Sequence, residues 1–229
     1  MYISIYFFLN CLILLSGYYS LNKILYRYTD NYKTLDNNKK LYVLKNILKS
    51  FSLLYLFLIR YDGYIMIYNN NYINENVYKY SCNYVANDFL GLILNNKLPI
   101  TTKCHHITTV LLLTYMINQN INDSLFSKLI FTYGACSNIS FLVNMHLGTR
   151  HILKNKKLQY DINKFSYYSY KFSLSFNLLL HTWILYYNQV TLGSIIYLIS
   201  IIPLINDDIV LIKWLKKGII HTQSHSQSH

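Results

Sequence analysis

The sequence predicts an all-α, polytopic integral membrane protein with about seven transmembrane helices. Hydrophobic residues make up 53% of the 229 residues and charged residues only 13%, roughly half the share that soluble domains carry. The hydrophobic residues are gathered into blocks, and short lysine-bearing polar stretches separate these blocks. This arrangement is typical of membrane spans rather than of the core of a soluble domain.

The apolar segments can be marked along the chain at about 20 residues per span. They cover residues 2–19, 42–60, 78–96, 104–120, 125–147, 172–188 and 192–213. The first segment lacks the basic start and the clear cleavage site of a signal peptide, so we expect it to be retained. Pro203 lies inside the last segment and is expected to kink that helix.

The domain organisation follows from these segments. Residues 1–41 are predicted to form the first span and a basic cytosolic loop, and residues 42–219 a six-helix membrane domain. Residues 220–229 read HTQSHSQSH after one isoleucine, a low-complexity composition that predicts a disordered tail.

The net charge of +12 is unevenly distributed among the loops. The strongly basic loops follow the first, third, fifth and seventh segments, whereas NQNIND (118–123) and YNQVT (187–191) contain no lysine. The positive-inside rule therefore predicts a lumenal N-terminus and a cytosolic C-terminus. Because the lysines stand between apolar blocks rather than on one solvated face, we do not expect nucleic acid as a partner.

Polar side chains inside the predicted spans indicate where a site could lie, because such groups are costly in a bilayer and tend to face the bundle interior. On the predicted topology, polar groups of five spans fall at similar depth, toward the cytosolic side. They are Asp88, His105, His106, Ser137, Asn138, Ser140, Asn144, Asn177, His181 and Asn206, with Asp207 and Asp208 beside the last. Ser137, Ser140 and Asn144 are spaced three and four residues apart, which puts them on one helical face.

Each of these residues also has a structural interpretation. The adjacent histidines could cap a helix at the membrane interface, and Asp88 could pair with a backbone group or a tyrosine hydroxyl. The Ser and Asn side chains of 125–147 could form interhelical hydrogen bonds. His181 taken alone is best interpreted as a packing histidine.

No metal site is predicted from the sequence. The histidine pair has no third ligand at helical spacing, and an HExxH motif is absent. The four cysteines show neither CxxC nor paired spacing, so neither a zinc site nor a disulfide framework is indicated.

The order of these features resembles the TLC-domain family, which contains the ceramide synthases, the translocating-chain-associating membrane proteins and lipid-regulating relatives. The segments that carry the resemblance are NYVANDFL (83–90), CHHITTVLLLTYMIN (104–118), YGACSNISFLVNMHLG (133–148) and INDDIVLIKWLKKGI (205–219). They match an aromatic-x-x-x-Asp span, a following His pair, a Ser/Asn-containing span and a last span with Asn and Trp before a basic tail. The resemblance extends over about residues 42–219 and implies a TLC-type helix bundle.

The chain departs from the ceramide synthases in two respects. Those enzymes carry Asp–Phe a few residues before the His pair, whereas Asp88 precedes His105 by 17 residues. They also carry two aspartates in the next span, where this chain has Ser137, Asn138, Ser140 and Asn144. The spacing is closer to that of the smaller, lipid-regulating members of the family.

The resemblance implies an acyl-CoA-dependent acyltransferase. His105 or His106 would act as general base or acyl-accepting nucleophile, and Asp88 would orient the imidazole. Ser137, Asn138, Ser140 and Asn144 would line the cavity or stabilise an oxyanion, and Asn177, His181 and Asn206 are further cavity candidates. We expect no bound cofactor, and acyl-CoA as the co-substrate, with Lys97 and Lys103 attracting its phosphates.

The expected partners are the bilayer and a membrane lipid or long-chain acyl substrate, in the endoplasmic reticulum or another endomembrane; a homodimer is left open. Two other functions also stay open. In the first, the cavity binds a lipid, regulates membrane composition or escorts cargo, and the His–Asp group only braces the helices. In the second, the protein is a transporter or channel, which the one-sided clustering of ionisable groups disfavours.

Overall fold

The computed structural model describes residues 2–95, 98–189 and 191–226. Within these ranges the chain folds into helices without a strand, so the predicted all-α class is confirmed. The helices are α1 (Tyr2–Tyr28), α2 (Asp30–Lys33), α3 (Asn37–Leu58), α4 (Asp62–Asn69), α5 (Asn74–Leu94), α6 (Ile100–Met116), α7 (Leu125–Ser137), α8 (Phe141–Thr149), α9 (Lys156–Tyr187), α10 (Leu192–Ser200) and α11 (Ile202–Ser226).

Three segments of the described chain are long and apolar enough to cross a membrane. They are Ser4–Tyr28, Asn37–Leu58 and Leu192–Ile220. These segments are compatible with the predicted membrane class. The count of seven spans is not confirmed, because the helices over the other four predicted segments are too short, or carry too many polar and charged residues, to meet the same criterion.

The predicted span 125–147 is interrupted in the structure. A short 3₁₀ turn, Asn138–Ser140, separates α7 from α8. On its two sides, Ser137 Oγ donates to the Tyr133 carbonyl at 2.8 Å, and Asn144 Nδ2 donates to the Ser140 carbonyl at 2.9 Å. Helices bend slightly where a serine side chain bonds to the carbonyl four residues earlier, and the segment contains no proline.

The C-terminal part of the chain differs from the prediction in helix length. The predicted span 172–188 is only the second half of α9, whose 32 residues extend about 48 Å. The predicted span 192–213 is divided between α10 and α11, with the break just before Pro203. The composition predicted a disordered tail from residue 220 onward, but helix α11 continues to Ser226. Residues 227–229 lie outside the described residues.

Helix α3 is the central element of the bundle. It begins after Asp36, whose side chain accepts a hydrogen bond from the Lys39 backbone N–H at 3.0 Å, and this bond lowers the pKa of the Asp36 carboxyl. Its C-terminal half contributes to the largest apolar core, together with residues of α5, α6 and α7. Helix α1 packs on α5 and leaves most of its apolar surface exposed.

The packing of α3 against α8 depends on Gly148. A Cβ atom at this position would lie 2.6 Å from Ile47 Cγ1 and 3.1 Å from the Ile47 backbone nitrogen. Backbone cannot move away as a flexible side chain can, so the two helices approach this closely only with glycine at the contact. Gly134 on α7 is the opposite case, because a Cβ there meets nothing within 4 Å.

We expect Gly148→Ala to destabilise the protein by about 1–3 kcal/mol, the usual cost of overpacking a tight contact. Gly134→Ala is the matched control and should be neutral, or stabilising by up to about 1 kcal/mol because alanine favours a helix. The measurement is denaturant unfolding of the purified protein in neutral detergent. Equal stability of the two variants would contradict the close α3–α8 contact.

Candidate functional site

A cavity of about 310 Å³ lies at the end of the bundle where α3, α6, α8 and α11 meet. Its size is at the lower end of the range of small-molecule pockets. Its polar wall combines cationic, anionic and imidazole groups. These are Lys45, Lys49, His105, His106, Arg150, Asp207 and Asp208, accompanied by Ser137, Ser140 and Asn144.

Asp88 is fully buried behind this wall and is contacted from two directions, by a lysine and by a histidine. Lys49 Nζ donates to Asp88 Oδ1 at 2.5 Å, and His106 Nδ1 lies 3.0 Å from the same oxygen. The second oxygen, Oδ2, has no hydrogen-bond partner among the described residues. A carboxylate at 0% exposure requires such compensation, because desolvating an unpaired charge is prohibitive.

His106 is contacted on both sides of its ring. Its Nδ1 faces Asp88, although off the line of a hydrogen bond, and its Nε2 lies 3.2 Å from Lys45 Nζ. The buried Lys45 side chain has room for this contact because residue 91 is glycine. A Cβ at Gly91 would lie 2.9 Å from Lys45 Cε and 3.0 Å from its Nζ.

His105 is placed between two carboxylates. Its Nε2 lies 4.0 Å from Asp88 Oδ2, and its Nδ1 lies 3.5 Å from Asp207 Oδ2. Asp207 also accepts a hydrogen bond from Thr102 Oγ1 at 3.1 Å. The Nδ1 atoms of both histidines lack a hydrogen-bond partner among the described residues. Only His106 has a lysine at hydrogen-bond distance from its Nε2, so His105 is the less committed ring.

A second buried carboxylate, Asp208, lies on the cavity wall. Tyr133 OH donates to its Oδ2 at 2.6 Å, and Tyr170 OH donates to its Oδ1 at 2.5 Å. The two tyrosines come from α7 and α9, so Asp208 joins three helices. Both of its oxygens are occupied, which leaves this group little capacity to bind a ligand.

Five of the side chains predicted to form the site line the cavity: His105, His106, Ser137, Ser140 and Asn144. Asp88 lies directly behind the histidines.

Four other predicted site residues are not among the residues that line this cavity. Asn138 is buried and donates to the hydroxyls of Tyr80 and Tyr64. His181 Nδ1 contacts the Asn177 carbonyl at 2.7 Å, and its Nε2 contacts Tyr197 OH at 2.6 Å, between α9 and α10. Asn206 is exposed on the outer face of α11. Sequence reasoning supplied only the depth of each residue along its predicted span. Depth alone does not show which neighbouring helix a side chain faces.

Lys45 and Lys49 line the cavity but are not among the site residues predicted from the sequence. The signal that could have revealed them is their spacing: they are four residues apart inside the predicted span 42–60, so both lie on one face of an apolar helix. Of the lysines expected to attract phosphates, Lys103 is not among the residues that line the cavity. Lys97 lies outside the described residues.

Asp88, His105 and His106 bring three ligand atoms within 4.8 Å of one another, a geometry that could hold a metal ion. The sequence interpretation missed this third ligand. Two lysine ammoniums, however, already contact the set, at 2.5 Å from Asp88 and 3.2 Å from His106. Since they repel a further cation, the residues fit a metal poorly, and the expectation of no metal stays a prediction.

The next cavity along the bundle is apolar and holds about 50 Å³. Tyr84 belongs to the walls of both cavities, so one side chain separates the polar space from the apolar one. Polar and apolar compartments side by side are suited to an amphipathic ligand.

Comparisons of the chain with protein-family models, curated proteins and solved structures found no match. The resemblance to the TLC-domain family therefore rests on the residues quoted above and stays a prediction. The class supported at this point is an all-helical protein compatible with membrane insertion that carries a buried His–Asp–Lys cluster.

We expect the Lys49–Asp88 pair to couple strongly in a double-mutant cycle. Asp88→Asn alone should cost about 3–5 kcal/mol, because it leaves the ammonium without its counter-charge, and the Lys49→Met/Asp88→Asn double variant should recover part of this loss. The measurement is unfolding free energy in detergent. The exposed pair Lys79–Glu75, 2.6 Å apart on α5, is the matched control and should show much weaker coupling. Additive effects at Lys49 and Asp88 would contradict the ion pair.

Proposed function

We propose that this chain is a membrane-embedded, lipid-handling protein of TLC type that transfers an acyl group from acyl-CoA to a lipid amine or alcohol. The observation that carries the proposal is the histidine pair on the wall of a cavity, with a buried aspartate directly behind it. A base oriented by a carboxylate and facing a ligand-sized space is the arrangement that acyl transfer requires.

The two histidines differ in their suitability as a base. With Lys45 charged, its N–H donates to His106 Nε2, so the neutral ring carries its proton on Nδ1, toward Asp88. Lys45 thus occupies the Nε2 atom of His106, which acts as a positioning residue. The Nδ1 atoms of both rings lack a hydrogen-bond partner among the described residues, but His105 has no lysine at either nitrogen, and we therefore assign it as the general base.

The reaction follows from this assignment. His105 removes a proton from the acceptor N–H or O–H as the acceptor attacks the thioester carbonyl, and a C–N or C–O bond forms. The C–S bond then breaks, and the leaving thiolate takes up the proton from the imidazolium. Asp88 and Asp207 stabilise the transient imidazolium, since their carboxylates lie 4.0 and 3.5 Å from the ring nitrogens.

The membrane arrangement belongs to the same proposal. The N-terminus would lie in the lumen and the C-terminus in the cytosol of the endoplasmic reticulum or another endomembrane, because the basic loops alternate along the chain. The cavity would then open near the cytosolic surface, where acyl-CoA is available. The lipid-facing surface includes the exposed apolar side of α1, with Phe8, Leu12 and Ile13.

A second candidate function is non-enzymatic lipid binding, membrane-composition regulation or cargo escort. The observation that favours it is the bracing of α3 against α5 and α6 by Lys49–Asp88 and Lys45–His106. These contacts commit much of the cluster to joining helices rather than to chemistry. The absence of a carboxylate from α7 and α8 points the same way.

We expect His105→Ala to lower kcat for acyl transfer by about 10²–10⁴-fold, the usual contribution of a general base. His106→Asn, which keeps a polar group beside Lys45, should reduce kcat less. Lys171→Met, at an exposed position on α9, is the control and should retain full activity. The measurement is transfer of a radiolabelled acyl chain by the purified protein in lipid nanodiscs. Full activity of His105→Ala would remove the assignment.

Mass spectrometry of co-purified lipid separates the two candidate functions. An enzyme that uses a histidine nucleophile should carry an acyl adduct on His105 or His106 after brief exposure to acyl-CoA. An enzyme that uses His105 only as a base should release acylated product without an adduct. A stoichiometric, unmodified lipid with neither product nor adduct would favour the binding function.

A further inference from the structure

The cavity wall carries two cations that have no carboxylate oxygen at ion-pair distance among the described residues. Lys45 is 7% exposed, and within the described part of the chain its ammonium has no carboxylate oxygen at ion-pair distance. Its neighbour is the neutral acceptor His106 Nε2, at 3.2 Å. A buried charge that lacks a counter-charge is unfavourable unless a ligand supplies one.

Arg150 is the second such cation. Its guanidinium carbon lies 4.6 Å from the Trp214 ring centroid and 5.4 Å from that of Tyr42, and its Nε donates to His151. These aromatic contacts hold the guanidinium at the cavity wall and leave its charge in place. Among the described residues it has no carboxylate partner at ion-pair distance.

The carboxylates on the same wall are already occupied. Two tyrosine hydroxyls bond to Asp208, and Thr102 and His105 contact Asp207. Asp88, which is paired with Lys49, lies behind the wall. The contacts to Asp208 and Asp207 take up hydrogen-bonding capacity of these two carboxylates but do not cancel their charge. Lys45 and Arg150 are the cations of the wall that a ligand anion could contact directly, because neither has a carboxylate at ion-pair distance among the described residues.

The position of Lys45 is set by its surroundings. Gly91 leaves space for Lys45 Cε and Nζ, where any Cβ would lie about 3 Å away, and His106 Nε2 accepts one of the ammonium N–H groups. The other two N–H groups remain for a ligand, because a lysine ammonium has three donors.

We propose that the cavity binds an anionic lipid whose phosphate head contacts Lys45 and Arg150, and that this lipid, rather than a cationic long-chain amine, is the acyl acceptor. That this lipid is the acyl acceptor rests on the proposed acyl transfer. That it is anionic rests on the charges of the cavity wall. A protonated sphingoid amine would be repelled by both cations.

Binding can be measured without any reaction. Trp214 lines the cavity, and the chain's other tryptophan, Trp183, is exposed on α9. In a Trp183→Phe background of the full chain, Trp214 fluorescence reports occupation of the cavity. The probes are 1-oleoyl lysophosphatidate, neutral monoolein and cationic sphingosine, titrated in neutral detergent, with inorganic phosphate and free coenzyme A as competitors.

We expect lysophosphatidate to bind on the order of ten- to hundredfold more tightly than monoolein, because a charge-assisted hydrogen bond strengthens binding by about this factor. We expect sphingosine to bind most weakly. Lys45→Met should remove this preference without changing the affinity for monoolein, and Lys45→Arg should retain much of it. Gly91→Ala, which displaces the ammonium, should weaken only lysophosphatidate. Lys171→Met, at an exposed position that does not line the cavity, should have no effect on any of the three.

Several results would overturn the proposal: equal affinity for lysophosphatidate and monoolein, tightest binding of sphingosine, or an unchanged preference in Lys45→Met. Displacement of lysophosphatidate by millimolar phosphate would support a phosphate-head site. Binding of coenzyme A with no binding of lysophosphatidate would assign the cations to the co-substrate and refute the acceptor assignment.

Failure of the acyl-transfer proposal is distinguishable from failure of this one. His105→Ala should abolish transfer while the order of lipid affinities stays intact, because the base does not contact the phosphate. If the order of affinities is intact but the protein transfers no acyl group, the anionic-lipid site is supported. Only the claim that the lipid is an acyl acceptor is then refuted.

Discussion

The buried negative charge of Asp88 is the constraint on which the rest of this structure depends. A carboxylate with no solvent exposure must be neutralised by side chains that reach it from neighbouring helices. Lys49 supplies a positive charge from α3, and the two histidines supply polar contacts from α6. Three helices are thereby held at a common level, and the cavity wall is built from the same side chains.

The pairing of Asp88 determines which charged groups of the cavity wall lack an ion-pair partner. Asp88 is paired with Lys49, so the charge of Lys45 beyond His106 finds no carboxylate of its own among the described residues. On the opposite wall, tyrosine hydroxyls occupy Asp208, and Thr102 with His105 occupies Asp207. The direct contacts open to a ligand thus depend on which groups already have a partner, and not only on the number of acidic and basic residues along the wall.

Packing contributes the geometry that the charges require. Gly148 lets α8 approach the backbone of α3, and Gly91 leaves space for the Lys45 side chain. The 3₁₀ turn at Asn138–Ser140 joins α7 to α8, and Ser137, Ser140 and Asn144 from this stretch all line the cavity. Each feature lies on an element that contacts α3, the helix that carries both lysines.

The sequence by itself determined the helical class, the compatibility with a membrane and the close association of Asp88 with the histidine pair. Those properties follow from local information: apolar blocks long enough for a span, and polar groups too costly to face lipid. Only the tertiary structure decided that Lys45 and Lys49 complete the cluster and that Asn138, Asn177, His181 and Asn206 do not belong to it. The direction in which a side chain points depends on how each helix rotates against its neighbours, and that rotation is set by contacts between residues far apart in the chain, such as Gly148 with Ile47 and Lys49 with Asp88.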